Sequence, residues 1–448
     1  MTTRTSSRIH SFLKATVIVC AVAAGLLVAA KVWSIRILQN AQADFAAVSS
    51  TIGTMPQTCS DAQLRAAAAI VPQLDMTREE KKSIGSLTTL PLEQWTEEND
   101  ALVIRVADRN RDTLDAIAQA LVSEPPETAA LSGPSDSDDR LDRSPIEIHL
   151  RLMSAARFFA TKARLAIKTG HGEQATRHLV PLLHISQGLE VQGRFLDVIM
   201  GSAIEGRLNR CLLELVQSPI PMNPGNQKLI SDLVPTVDLM EALRMALTAE
   251  TSHWVDGWEE AEPDASLRGM LIGPLSGPII KRLFQAAFLE SGTHLLELID
   301  TSFGTSPEAF NSPPRPPWWR PIQGMAWTVQ PNMINTIRRC QATTALRQLL
   351  QAALVMRTTS WPGDAYPEKR PTLPVLTQPD VFSGQVLEYT LLDEGRLHLA
   401  IVDGPELFET IRSTITGTHH QLDPVQLDPP QLTAPNMSPA ARPRPRLQ

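Results

Sequence analysis

The sequence predicts a mainly α-helical protein with an N-terminal transmembrane helix, a helical bundle or irregular array of helical hairpins, and a small C-terminal α+β module containing a β-hairpin. The chain has 448 residues, 43% of them hydrophobic, which is enough to build buried cores. It contains only 2 tyrosines and 11 phenylalanines, which favours packing between helices through small and aliphatic side chains. The net charge of −7 provides no general basic field. We therefore expect no nucleic-acid partner.

The transmembrane prediction rests on residues 12–33. No charged residue occurs between Ala15 and Ala30, and a lysine on either side can extend toward the headgroups. The segment matches the ~20 apolar residues that cross a bilayer as a helix. The alternative is a cleaved signal peptide, since residues 41–43 read Ala-Gln-Ala. An uncleaved signal anchor is favoured because the apolar run is long for a signal peptide and Arg36 precedes the cleavage motif.

The basic residues around this segment predict its orientation. Arg4, Arg8 and Lys14 precede its apolar part, whereas Lys31 and Arg36 follow it. By the positive-inside rule, residues 1–11 stay in the cytoplasm and the bulk of the chain lies on the other side. The sequence thus predicts a single-pass protein of the bacterial inner membrane whose larger part is periplasmic.

A helical region is predicted over residues 40–122. Within it, Thr96 can cap a helix that runs to about Val122, because apolar residues recur there at helical spacing. Residues 123–143 are polar and rich in proline, serine and aspartate, which indicates a linker.

A helical bundle is predicted over residues 144–305. Ser144, Pro145 and Glu147 form a helix start signal, and the helix is expected to end at Gly170. A second helix after this glycine would complete one hairpin of the tetratricopeptide kind. No second copy occurs at a fixed period, so a bundle or irregular array is favoured over a solenoid.

The C-terminal part is predicted in three segments. Residues 306–332 form a connector rich in proline and tryptophan. Residues 333–405 form a helix followed by a β-hairpin, with turn formers before its first strand and a second turn between its strands. Residues 421–448 are proline-rich, repeat Gln-Leu-Asp-Pro-like sequences, and are predicted to be a disordered tail.

The module before that tail carries a resemblance. It reads Asp380-Val-Phe-Ser-Gly-Gln-Val-Leu-Glu-Tyr389, preceded by Ala-Tyr-Pro and Leu-Pro. This order resembles the C-terminal module of a group of uncharacterised bacterial single-pass membrane proteins, which also have an N-terminal anchor and a helical middle region. More distantly, the turn and strand are similar to the C-terminal part of type II secretion pseudopilins. Val381 departs from the pseudopilin pattern, and the apolar run lacks the pilin glutamate. The resemblance implies architecture and an envelope location, and it implies no activity.

The sequence contains no phosphate-binding glycine loop, no Gly-x-Ser-x-Gly elbow and no His-Glu-x-x-His motif. The sharpest metal hypothesis combines five side chains at helical spacing: Glu250, His253, Glu290, His294 and Glu297. A di-iron bundle needs two Glu-x-x-His pairs, and only one is found here. His171 and His178 share a helix face but have no third ligand at a useful spacing. Exposed or capping roles are favoured for all of them, so no catalytic, cofactor-binding or metal-binding residue is predicted.

The four cysteines show no metal-ligand spacing. Cys20 lies in the apolar run and is expected to behave as a small hydrophobic residue. One disulfide among Cys59, Cys211 and Cys340 is one alternative. Three buried thiols are favoured because these residues are widely separated along the chain.

Two classes of function remain. The first is a membrane-anchored helical scaffold or protein-interaction component of the bacterial envelope, with the membrane and other envelope proteins as partners. The second is an envelope enzyme or metal-binding bundle, which would bring Glu250, His253 and Glu290 into one cleft. The scaffold is favoured because catalytic motifs are missing and the chain combines an anchor, helix pairs and a proline-rich connector.

Overall fold

The structure, a computed structural model, describes residues 3–49, 59–123, 145–220, 224–260, 273–311, 330–361, 365–404 and 425–428. Within these residues the chain is mainly helical with one small antiparallel sheet, which confirms the predicted fold class at this level. Almost all of the predicted linker 123–143, most of the connector 306–332 and most of the tail 421–448 lie outside the described residues.

The helices are α1 (Thr3–Ser49), α2 (Asp61–Ile70), α3 (Arg78–Leu87), α4 (Glu97–Arg109), α5 (Arg111–Val122), α6 (Pro145–Lys168), α7 (Gly172–Glu190), α8 (Phe195–Gln217), α9 (Pro224–Asp232), α10 (Leu239–Glu260), α11 (Gly273–Ile299), α12 (Pro307–Asn311), α13 (Gln330–Thr358) and α14 (Pro374–Thr377). The strands are β1 (Glu388–Leu391), β2 (Leu397–Ala400) and β3 (Val425–Leu427).

The chain forms two compact units. The first comprises Met1–Gly53, Arg244–Asp300 and Glu308–Asn335, and the second comprises Thr54–Leu243, Thr301–Pro307 and Thr336–Gln448. The units therefore divide the chain differently from the predicted segments, because the predicted bundle 144–305 contributes to both.

Helix α1 contains the whole predicted membrane segment and continues beyond it without a break, over 47 residues. Among the described residues, Val22–Ser49 is the one stretch long and apolar enough to cross a membrane. Only 6% of its most apolar window is buried inside the protein. Further along the helix, Ser34, Ala41 and Phe45 are buried on one face, where α1 packs along α11.

Helices α10 and α11 form an antiparallel pair in the first unit. Thr251 faces Gly292, and the Trp254 ring meets the Phe288 ring edge-on with 5.3 Å between centroids. A Cβ at Gly292 would lie 2.6 Å from the Thr251 side chain and 3.1 Å from Phe45. Glycine therefore permits the close approach of three helices at this position.

The second unit begins with four short helices that have clear start signals. Ser60 and Thr77 each form a capping box with the residue three positions on, Gln63 and Glu80. Their buried side chains include Leu64, Ile84, Val103 and Ile117.

The predicted single helix from Thr96 to Val122 is wrong in one respect, since it divides into α4 and α5 at Asn110. Asn110 is buried, and its side-chain amide forms two hydrogen bonds with the backbone of Asp75. Its Oδ1 accepts from the Asp75 N–H at 2.6 Å, and its Nδ2 donates to the Asp75 carbonyl at 3.1 Å. The same Nδ2 donates to the Val106 carbonyl at 2.8 Å. An asparagine that bonds backbone groups competes with the helical ladder, which explains the break.

Helices α6 and α7 form the predicted hairpin. The turn between them passes through Gly170 at φ 79°, a left-handed conformation that favours glycine. Helix α8 packs on both of them, and the core between the three includes Phe158, Ala163, Leu179, Ile204 and Leu208.

The C-terminal module is an antiparallel sheet of strand order β1-β2-β3. The predicted hairpin is present, with Tyr389 opposite Leu399 and Leu391 opposite Leu397. The prediction of disorder from residue 421 is wrong at Val425–Leu427, which form β3 and pair with β2. Val425 and Leu427 are buried while Gln426 is exposed, so this short alternation has a strand pattern that the surrounding prolines obscured.

Candidate functional site

The most unusual group of side chains in the second unit is a buried cluster of Glu190, Glu205 and Arg347. Glu190 is the last residue of α7, Glu205 lies in the middle of α8, and Arg347 lies on α13. Their exposed fractions are 1%, 0% and 9%. Charged side chains are buried to this degree only when the surroundings compensate them.

Arg347 and Glu205 form a two-pronged ion pair. Arg347 donates from Nε to Glu205 Oε1 at 2.9 Å and from Nη2 to Oε2 at 2.6 Å. Its remaining nitrogen, Nη1, donates to the Val237 carbonyl at 2.6 Å. Asn209, one turn after Glu205, donates from Nδ2 to Glu205 Oε1 at 3.0 Å. Glu205 is thus compensated by a charged partner and by hydrogen bonds to both of its oxygens.

Glu190 lacks such compensation. Within the described residues, neither of its carboxyl oxygens has a hydrogen-bond donor. Burial raises the pKa of Glu190 well above its ordinary value, the neighbouring Glu205 carboxylate raises this pKa further, and Arg347 partly offsets both effects. A protonated Glu190 can donate to Glu205, whereas two ionised carboxylates would have no hydrogen atom between them.

Small residues close the space around Glu190. A Cβ at Gly201 of α8 would lie 2.7 Å from Glu190 Cγ and 2.9 Å from the Ser186 carbonyl oxygen. Cys340 of α13 also lies nearby, and burial raises the pKa of its thiol to about 12. The thiol therefore stays neutral at physiological pH, and the arrangement can hold a proton on Glu190 without offering a reactive nucleophile.

A second buried pair lies at the N-terminal ends of α6 and α8. His149 Nε2 contacts Asp197 Oδ1, and Asp197 Oδ2 accepts from Arg194 Nε at 2.6 Å. A carboxylate that orients an imidazole is typical of general bases and metal ligands. Within the described residues, however, no group of three His, Cys, Asp or Glu side chains is placed to hold a metal. The pair joins the N-terminal part of α6 to that of α8.

The turn that precedes β1 is organised by Asp380, as the sequence predicts. Asp380 Oδ1 accepts from the backbone N–H of Phe382 at 2.8 Å and of Ser383 at 2.7 Å, and Gly384 follows at φ 71°. Phe382 stacks on Phe303 with 5.6 Å between ring centroids. Tyr389 donates its hydroxyl to the Pro367 carbonyl at 2.6 Å. These contacts make the turn a structural feature of the module.

Strand β1 lies at an edge of the sheet. In the part of the chain that the structure describes, β1 pairs only with β2. Leu392 N–H donates to the Arg396 carbonyl at 2.7 Å, so Leu392 is a hydrogen-bonded position of the β1-β2 pair. In an antiparallel pair, hydrogen-bonded positions alternate with positions whose backbone N–H and C=O face away from the partner strand. The backbone groups of Tyr389 and Leu391 therefore point to the outer edge.

The side chains of the metal hypothesis lie on two helices. Glu250 and His253 lie on α10, and Glu290, His294 and Glu297 lie on α11, but no three of them form a metal-holding group. His253 and Glu297 are exposed. His171 is exposed at the start of α7 and contacts Thr169 Oγ1 at 2.9 Å, while burial lowers the pKa of His178 to about 4.

Sequence reasoning missed the Glu190, Glu205 and Arg347 cluster, although a signal for it exists. Glu205 lies on the same helical face as the buried residues Val198, Leu208 and Leu212. A charged residue at a position where periodicity demands an apolar one indicates a buried partner elsewhere in the chain. The partner Arg347 is far away in sequence, so only the fold identifies it.

Cys59, Cys211 and Cys340 are buried free thiols, which confirms the favoured alternative for these residues. Burial raises the pKa of the Cys59 thiol to about 11 and that of Cys211 to about 12.

Comparisons of this chain with protein-family models, with curated proteins and with solved structures gave no match.

Proposed function

We propose that this protein is anchored in a bacterial inner membrane by α1 and acts as a scaffold that binds other envelope proteins through its C-terminal sheet. The observation that carries the proposal is the exposed apolar surface of α1 between residues 22 and 33. The proposed orientation places the N-terminus in the cytoplasm and the larger part of the chain in the periplasm.

The anchor is supported by the exposure of large apolar side chains on α1. Val22, Leu26 and Val28 are 57%, 66% and 63% exposed. A continuous apolar surface of this kind is unfavourable in water and favourable in hydrocarbon. The orientation is supported by Arg4, Arg8 and Lys14 on the N-terminal side.

The binding role is supported by the outer edge of β1. An edge strand with unpaired backbone groups can accept a strand from a partner, and main-chain hydrogen bonds then supply affinity. Glu388 and Thr390 are exposed on this strand, so their side chains are accessible to a partner.

Membrane fractionation tests the anchor. The full-length chain should stay with membranes during alkaline carbonate extraction, and a chain that lacks residues 1–33 should be released. Protease added to intact spheroplasts should digest the chain if its larger part is periplasmic. Complete protection in spheroplasts with digestion after lysis would contradict the proposed orientation.

Site-specific photocrosslinking tests the binding role. A photoreactive residue in place of Thr390 should yield a reproducible crosslinked species in cells, and Leu391→Pro should abolish it because proline removes an edge-facing N–H without removing a ladder bond. Leu391→Ala is the matched control, since it shortens the same side chain and keeps the N–H. Equal crosslinking in the proline and alanine variants would contradict strand addition at β1.

A further inference from the structure

The buried cluster formed by Glu190, Glu205 and Arg347 has a property that does not depend on the proposed scaffold role. Two carboxyl groups share one guanidinium, so full ionisation would leave a net charge of −1 in the interior. The Arg347 donors are already assigned to Glu205 and Val237, as described above. Arg347 therefore compensates one carboxylate fully and leaves the other to be neutralised by a proton.

We propose that the Glu190 carboxyl is a pH-sensitive switch in the second unit: the junction of α7, α8 and α13 is stable while Glu190 is protonated and loosens when it ionises. The protonated group donates to Glu205 and joins the hydrogen-bonded cluster. The ionised group repels Glu205 and has no donor of its own within the described residues.

The close packing leaves Glu190 no simple way to reach water. It is 1% exposed, and Gly201 approaches its side chain so closely that an added Cβ would overlap with Cγ. Ionisation therefore requires the end of α7 to move away from α8. Such a movement converts a local protonation event into a change in helix packing.

The titratable groups that act on Glu190 come from two neighbouring helices. They are Glu205 on α8 and, on α13, Arg347 and the thiol of Cys340. On the side of α2, the neutral Cys59 thiol packs against Gly188, near the end of α7. Glu205 raises the pKa of Glu190 and Arg347 lowers it, so the balance between these two neighbours determines the response.

The direction of the pH effect follows from linkage. The pKa of Glu190 is raised in the folded protein relative to the ordinary value of 4.5. The folded state therefore binds more protons than the unfolded state once the pH exceeds that ordinary value. The stability contributed by the protonated form is fully present below the unfolded pKa and is lost as pH rises through the folded pKa.

The test is thermal unfolding of the full-length protein in detergent at several pH values between about 5 and about 9, with the wild type and Glu190→Gln compared. Glutamine keeps a donor and cannot ionise. We expect the midpoint temperature of unfolding to fall between acidic and alkaline pH by more in the wild type than in Glu190→Gln. The two decreases should differ by at least about 4 °C. Glu173→Gln is the matched control on the same helix, because Glu173 is exposed, and its profile should follow the wild type.

Glu205→Gln provides a second variant. This variant leaves Glu190 as the one carboxylate beside Arg347. The additional loss of stability that the wild type shows at alkaline pH should therefore be absent in Glu205→Gln as well. Hydrogen exchange at alkaline pH should show faster exchange at the C-terminal end of α7 in the wild type than in Glu190→Gln. Identical pH profiles for wild type and Glu190→Gln would overturn the proposal. A calcium-dependent rise of the alkaline midpoint in wild type but not in Glu190→Gln would also overturn it, in favour of a bound cation.

Discussion

Arg164 shows how a single buried charge can connect distant parts of the second unit. It is 1% exposed and donates from Nε and Nη2 to the two carboxylate oxygens of Glu214, both at 2.7 Å. It also donates to the carbonyls of Leu87 and Leu90, and its guanidinium lies 5.2 Å from the centre of the Trp95 ring. One side chain therefore satisfies backbone groups at the end of α3 while pairing with α8.

Replacement of Arg164 by alanine should destabilise the protein by about 3 kcal/mol, because it leaves Glu214 without its main partner and two carbonyls without donors. Chemical denaturation of the full-length chain in detergent measures this change in the free energy of unfolding. Arg177→Ala is the control, since the Arg177–Glu173 pair is exposed and should contribute only about 0.5 kcal/mol or less. Equal effects of the two substitutions would contradict a central role for Arg164.

The sequence indicates little of this residue-level detail. Capping residues such as Ser60 and Thr77 act on nearby backbone groups, so local patterns identify them. Arg164, Arg347 and Asn110 bind groups that are distant in sequence. The amino-acid sequence alone does not show which distant groups come into contact, so it does not identify these partners. The same limit explains why Glu190 was not recognised as a candidate.

Helix packing in the second unit depends on glycines at crossing points. Gly201 of α8 faces the end of α7, and Gly188 of α7 faces Cys59, with 2.8 Å from an added Cβ to the Cys59 Cβ. Interiors are packed to the density of organic crystals, so an added methyl group at such positions forces a shift. By contrast, nothing lies within 4 Å of a Cβ at Gly85 in α3.

Gly201→Ala should therefore destabilise the protein by about 1–3 kcal/mol through overpacking against Glu190 and the Ser186 carbonyl. Gly85→Ala is the matched control in another helix and should stabilise slightly, by up to about 1 kcal/mol, because alanine is the better helix former. Both values come from denaturation of the full-length variants under identical conditions. A neutral Gly201→Ala would show that α7 and α8 can separate without cost.

At the scale of elements, periodicity predicted which parts of the chain are helical, including the hairpin around Gly170. It did not predict the break at Asn110, since the apolar stripe continues across it and the cause is a bond to Asp75. Strand β3 was missed because three residues provide too short a pattern, and the surrounding prolines favour disorder in a compositional analysis.

In the molecule as a whole, β3 links a late segment of the chain to the C-terminal module. Val425 and Leu427 are buried, and Tyr366 donates its hydroxyl to the Asp428 carbonyl at 3.0 Å. These residues complete the sheet along the free side of β2, and β3 also packs near α8.

A chain that ends at residue 420 should therefore be less stable than one that ends at residue 430, by about 3 kcal/mol for the loss of two buried apolar side chains. The shorter chain should also show faster hydrogen exchange in β2. The chain ending at residue 430 retains β3 and should match the full-length protein. If both truncations behaved alike, β3 would contribute no stability to the module.

The mainly helical character of the molecule was predictable because composition and periodicity are properties of the whole chain. The division into two units was not, since the first unit combines the N-terminal helix with residues 244–300. A contact between segments so far apart depends on which apolar faces fit together, and neither spacing nor composition specifies that choice.

The unbroken course of α1 has a mechanical consequence. The helix is about 70 Å long at the usual rise per residue, and after Gly25 it contains no glycine or proline that would act as a hinge. With α1 anchored as proposed, a change in bilayer thickness alters the tilt of the helix. The part of α1 that packs against α11 then turns through the same angle. The helix therefore acts as a rigid lever arm, and a change in bilayer thickness changes the orientation of the first unit relative to the membrane.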